Sequence, residues 1–118
     1  MLQRSFATVL LCLSLAPAAF AHAILVSSQP TSGASVAAGT VDMTFRYNSR
    51  IDSERSRLTL TGPDHSQVVL TLTPVTEPNV LEAAPILTTP GEYVVRWQVL
   101  ATDGHITRGD VPFTVKTH

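Results

Sequence analysis

Apolar and polar residues alternate with period two along most of this chain. Val41, Met43, Phe45 and Tyr47 point one way while Asp42, Thr44, Arg46 and Asn48 point the other, the signature of a strand with one buried face. Leu58 and Leu60 alternate with Arg57, Thr59 and Thr61, and Val68, Leu70 and Leu72 with Val69, Thr71 and Thr73. Tyr93, Val95, Trp97 and Val99 make the longest apolar face, and Val111, Phe113 and Val115 close the chain. Ala23 to Ser28 and Val80 to Ala84 read as weaker strands. Turn signals separate these runs: Gln29-Pro30-Thr31-Ser32-Gly33, Gly62-Pro63-Asp64, Pro74, Pro78-Asn79, Thr89-Pro90-Gly91 and Asp103-Gly104. Helical periodicity is not sustained anywhere, although Ile51 to Arg57 could make one turn. The pattern predicts an all-β, Ig-like Greek-key sandwich of about seven strands in a single domain, with Trp97 as a core anchor. The Cys–Trp–Cys core of antibody domains is absent, so only the architecture is implied.

The first residues break the alternation. Arg4 precedes an apolar run from Phe6 to Leu15, and small residues then lead to Ala19-Phe20-Ala21. That is the anatomy of a secretory signal peptide with an Ala-x-Ala cleavage site. We expect residues 1–21 to be the signal peptide and residues 22–118 the exported mature domain. Two other cuts compete. Ala21-His22-Ala23 would release Ile24, and Ala16-Pro17-Ala18 contains an unfavourable proline. The apolar segment is shorter than the roughly 20 residues of a membrane-spanning helix. Cys12 lies in it without the preceding small residues of a lipoprotein site.

Composition narrows the chemistry. Residues 22–118 retain seven Lys/Arg against nine Asp/Glu and no cysteine. No basic stripe points to a nucleic acid, and zinc fingers and thiolate copper sites are excluded. No Ser-His-Asp array, phosphate-binding glycine loop or zincin helix is present.

The remaining chemical candidates are four histidines. His118 ends the chain, and His65 lies in the turn 62–66, where a solvated ring is the default. Cleavage after Ala21 would give His22 a free α-amine, which chelates a metal together with a ring nitrogen. His105 lies in Ala101-Thr102-Asp103-Gly104-His105-Ile106-Thr107-Arg108-Gly109, where a tight glycine turn lets Asp103 and His105 converge. Taken alone, Asp-x-His in a turn is weak evidence for a metal, and an Asx-type turn with an exposed histidine is the default reading. Joined with His22 it offers an amine, two imidazoles and a carboxylate, an N₃O set that suits tetragonal Cu(II). A Cu(I) site would want clustered methionines, and Met43, the one methionine left after processing, faces the core by periodicity.

The stretch His22-Ala23-Ile24-Leu25-Val26-Ser27-Ser28-Gln29-Pro30 resembles the opening of the periplasmic copper-binding proteins of the CopC family. The resemblance extends through Val41-Asp42-Met43-Thr44-Phe45, Ser56-Arg57-Leu58-Thr59-Leu60 and Trp97 to His105, with Gly109 and Phe113 beyond. It implies a Greek-key β-sandwich holding one Cu(II) per chain through His22, Asp103 and His105. It also implies copper carriage, homeostasis or resistance in the periplasm rather than catalysis, often beside a membrane copper-transport partner. The chain departs from the family in two places. Many members follow the early Phe of their second strand with Ser-Glu-Pro, whereas Phe45 here leads into Arg46-Tyr47-Asn48-Ser49-Arg50-Ile51-Asp52. That puts a carboxylate from this loop in doubt; Asn48, Ser49 or water could replace it. A Met-rich Cu(I) loop is also missing.

Two other functions compete. A copper monooxygenase also uses an N-terminal His plus a second His, but this chain has little aromatic surface for sugars. A non-metal structural or adhesive sandwich would act through a sheet edge, its histidines incidental.

Overall fold

The computed structural model describes residues 22–117; the expected signal peptide and His118 lie outside the described residues. The strands are β1 (Leu25–Gln29), β2 (Ala34–Ala37), β3 (Gly39–Thr40), β4 (Met43–Tyr47), β5 (Arg57–Thr61), β6 (Gln67–Val69), β7 (Val80–Ala83), β8 (Ile86–Leu87), β9 (Gly91–Leu100) and β10 (Ile106–Lys116). One 3₁₀ turn, Ser53–Arg55, interrupts them, within the segment where a helical turn is expected. Asp52 caps it by accepting the Glu54 N–H at 3.1 Å.

Five strands form one sheet in the order β2-β10-β9-β5-β6, and three form another in the order β1-β4-β7. The small β3–β8 pair extends the second sheet rather than making a third. Met43 stands opposite Ala83 and Gly39 opposite Leu87, in one continuous register. The Val41 N–H bonds Pro85 O at 2.9 Å where the ladder is interrupted. The two-layer sandwich expected from the alternation is therefore present, with ten strands in place of about seven. The additional strands, β2, β3 and β8, have two to four residues each, too few for a period to register.

The alternating apolar residues meet between the sheets in one cluster. Phe45, Leu58, Val95 and Val99 are fully buried, and Trp97 and Phe113 nearly so. The Tyr47 ring meets the Trp97 indole edge-on, with centroids 5.3 Å apart. The Gly109 backbone also comes so close to the indole that a Cβ there would fall 2.5 Å from Trp97 Cζ2. Gly109 is thus a packing glycine directly across the ladder from Trp97.

The run from Val68 to Thr73 differs from expectation. The strand ends at Val69, and Val68 and Val69 are 54% and 59% exposed. As the edge of the five-stranded sheet, β6 has no facing layer to cover it. Beyond it, the Leu70 N–H bonds Leu58 O, and Leu70 and Leu72 fold inward against the core. Among the described residues, no helix is long and apolar enough to cross a membrane.

Candidate metal centre

The hairpin joining β9 to β10 carries Asp103, Gly104 and His105. Its base is closed by Ala101 N–H to His105 O at 2.8 Å and Gly104 N–H to Ala101 O at 2.9 Å. Gly104 has φ +91° with open space where a Cβ would stand, so glycine is needed there for backbone conformation alone. The Asp103 carboxylate faces inward on the loop. Oδ1 accepts the His105 N–H at 3.0 Å, and Oδ2 lies 2.9 Å from His105 Nδ1. The Asx-type turn read from the sequence therefore exists. The same carboxylate also orients the imidazole. An ionised carboxylate only accepts, so Nδ1 carries the hydrogen and Nε2 keeps the lone pair.

The His105 backbone N–H, then its ring, hold the Asp103 carboxyl below the ordinary carboxylate range, with a smaller contribution from His22. The His22 and His105 rings lie with centroids 4.7 Å apart, tilted by 57°.

Backbone anchoring just after His22 explains this meeting. Ala23 is fully buried, and its carbonyl accepts the Thr107 hydroxyl at 2.7 Å. The Ile24 N–H donates to Asn48 Oδ1 at 2.8 Å, and the Asn48 N–H returns a bond to Ile24 O at 3.0 Å. Residues from the ends of β4 and β10 thus clamp Ala23 and Ile24, and His22 emerges beside the hairpin loop. Thr107 is a positioning residue that sequence reasoning missed, and Asn48, named there as a stand-in ligand, holds backbone instead. Their partners lie 24 and 84 residues away along the chain, beyond any local pattern.

The loop after Phe45 offers little to an ion at this site. Arg46 pairs with Glu77 at 2.7 Å, Asn48 Oδ1 is committed to the Ile24 N–H, and Asp52 caps the 3₁₀ turn. Ser49 Oγ is buried without a hydrogen-bond partner among the described residues. His65 stands in its turn, exposed, with φ 68°, and His118 falls outside the described residues. Met43, 1% exposed, lies in the core and is unavailable as a sulfur ligand.

No group of three His, Cys, Asp or Glu side chains among the described residues is already gathered at metal-holding distances. The ring separation nonetheless fits one ion. With metal–nitrogen bonds of about 2 Å, each imidazole centre stands about 3 Å from the ion. Two adjacent ligands then have ring centres between 4 and 5 Å apart, roughly as observed.

The comparisons with known proteins agree with this architecture. The CopC domain family model matches residues 25–116. Copper resistance protein C of Escherichia coli is 31% identical over 123 residues, covering 98% of each chain. Copper resistance protein C of Xanthomonas campestris pv. juglandis is 32% identical, covering 96% of this chain and 97% of that protein. Protein YobA of Escherichia coli K12 is 30% identical over 85% of this chain and 83% of its own length. Among solved structures, CopC from Methylosinus trichosporium OB3b superposes with a TM-score of 0.72 at 30% identity, covering 80% of this chain and 94% of that one. PcoC, a methionine-rich copper resistance protein from Escherichia coli, gives a TM-score of 0.61 at 28% identity over 80% and 99% of the two chains. The present sequence has two methionines in all. With the family model spanning both sheets and the hairpin, this chain belongs to the CopC family of copper-binding resistance proteins, which are not enzymes.

Proposed function

We propose that the chain is a periplasmic Cu(II) carrier that holds one ion between His22 and the β9–β10 hairpin and serves copper homeostasis and resistance. The observation that carries this reading is the 4.7 Å approach of the His22 and His105 rings, from opposite ends of the sequence. No hydrophobic gain accounts for it, since the His105 side chain is 57% exposed.

In this reading residues 1–21 are removed on export and His22 binds through its new amine and its ring. In the precursor that nitrogen is the amide to Ala21 and donates poorly to a metal. His105 contributes Nε2, because Asp103 occupies Nδ1. The Asp103 oxygens each accept one bond from His105 and retain further lone pairs. The carboxylate can therefore orient the ring and supply charge to the ion at once. Bound copper supplies a borderline Lewis acid suited to these nitrogen and oxygen donors. With Met43 buried, nothing favours Cu(I) here. Handover to a membrane copper-transport protein fits an exposed site and the family membership.

The test is a Cu(II) titration of protein beginning at His22, read by chelator competition and electron paramagnetic resonance. We expect one ion per chain with nitrogen hyperfine structure. His22→Ala and His105→Ala should each weaken binding by about 100-fold, and one extra glycine ahead of His22 should do so too. Full-strength binding by either alanine variant would overturn the assignment.

A further inference from the structure

The outer face of the five-stranded sheet carries charge that the copper site does not use. Register places Arg57, Gln98 and Arg108 side by side on β5, β9 and β10, all directed away from the core. The next row holds Thr59, Arg96 and Asp110. Arg96 is neutralised there by a two-pronged pair with Asp110, at 2.8 and 3.1 Å. Arg108 bonds only the neutral Gln98 Oε1, at 2.9 Å. The Arg57 guanidinium has no ion pair or hydrogen bond to any described residue. These residues line a shallow depression of about 580 Å³. A chain with formal charge −1 thus presents a locally positive face with two uncompensated guanidinium groups.

From this we infer that the face is a docking surface for an acidic, extended segment of a protein partner. Arg57 and Arg108 are two strands apart, about 10 Å, which an extended chain spans in three to four residues. Guanidinium groups recognise carboxylates by paired N–H bonds, and Gln98 and Thr59 can bond the backbone between them. A densely charged polymer suits the face less. Polyanion binders commonly neutralise six to ten phosphates, and anionic lipid surfaces attract clusters of about four to eight cations. Here two uncompensated cations, Arg57 and Arg108, are too few for such a partner. Arg96 and Asp110, already paired, fix the edge of the surface rather than contribute net charge.

The experiment uses the full domain and a fluorescein-labelled octapeptide of alternating Asp and Thr, with an Asn/Thr octapeptide as the neutral control, read by anisotropy. We expect saturable binding of the acidic peptide that weakens with salt. Arg57→Gln/Arg108→Gln should weaken it roughly tenfold or more. Asp110→Asn, which removes the internal competitor, should tighten it. Both positions are exposed, and circular dichroism would verify that the variants fold. The inference is overturned if the acidic peptide fails to bind, if the double variant binds as well as the parent, or if phosphatidylglycerol vesicles or heparin bind the face equally well. Because copper affinity is measured separately, loss of this surface and loss of the metal reading are distinguishable.

Discussion

The Thr107 hydroxyl donates to the Ala23 carbonyl at 2.7 Å, fastening the strand after the hairpin loop to the residue next to His22. The bond fixes how far apart the two histidines sit, so removing it should alter metal affinity more than stability. Thr107→Val keeps the shape and loses the donor. We expect about 1 kcal/mol of destabilisation but a loss of about tenfold or more in Cu(II) affinity, with Thr107→Ser close to the parent. Chelator competition alongside thermal melting separates the two effects.

Gly109 beneath the Trp97 indole predicts a different phenotype. Gly109→Ala places a methyl 2.5 Å from the ring, where the ladder holds both backbones and core packing confines the indole. The variant should lose about 1–3 kcal/mol, with a red-shifted Trp97 emission as the indole is displaced from its buried position. An unchanged melting temperature would mean that the indole can move without cost.

The pH dependence should divide between nitrogen and oxygen donors. Hydrogen bonds from His105 hold Asp103 below the ordinary carboxylate range. A carboxyl lowered in this way contributes fully above that range, and the contribution is lost only as pH falls below it. Asp103 is therefore ionised throughout pH 5 to 8, so any change of affinity within that interval arises at the other donors. Asp103→Asn should weaken Cu(II) binding across the whole interval, because it removes a charge beside the ion and the acceptor that orients the His105 ring. Chelator competition at several pH values checks this, and equal affinities of variant and parent would show that the carboxylate does neither.

The Tyr47 hydroxyl is buried without a hydrogen-bond partner among the described residues, and burial drives its ionisation far above the ordinary phenol range. Removing an unsatisfied donor costs the fold little. Tyr47→Phe should melt within about 1 kcal/mol of the parent or slightly higher. A large drop in melting temperature would reveal a polar partner for the hydroxyl.

Local alternation made β4, β5, β9 and β10 readable, because each has one face against the core and a period long enough to register. It misled at Val68, which was read onto the buried face and sits on an uncovered edge. It was silent for β2, whose parallel pairing with the end of β10 joins segments far apart in sequence. The candidate site divides similarly. Asp103 and His105 announce themselves through a glycine turn, and His22 through its place after Ala-x-Ala. The clamp from Asn48 and Thr107 consists of single hydrogen bonds to backbone atoms across the fold, which no spacing rule encodes.

The buried methyl of Ala23 bears on biosynthesis. A leader peptidase that cut two residues late, before Ile24, would remove more than an imidazole. It would also pull a plug from the end of the sandwich and leave the Thr107 hydroxyl without its acceptor. On the proposed processing, faulty trimming would therefore yield a loosened domain, and the fold itself would proofread the start of the chain.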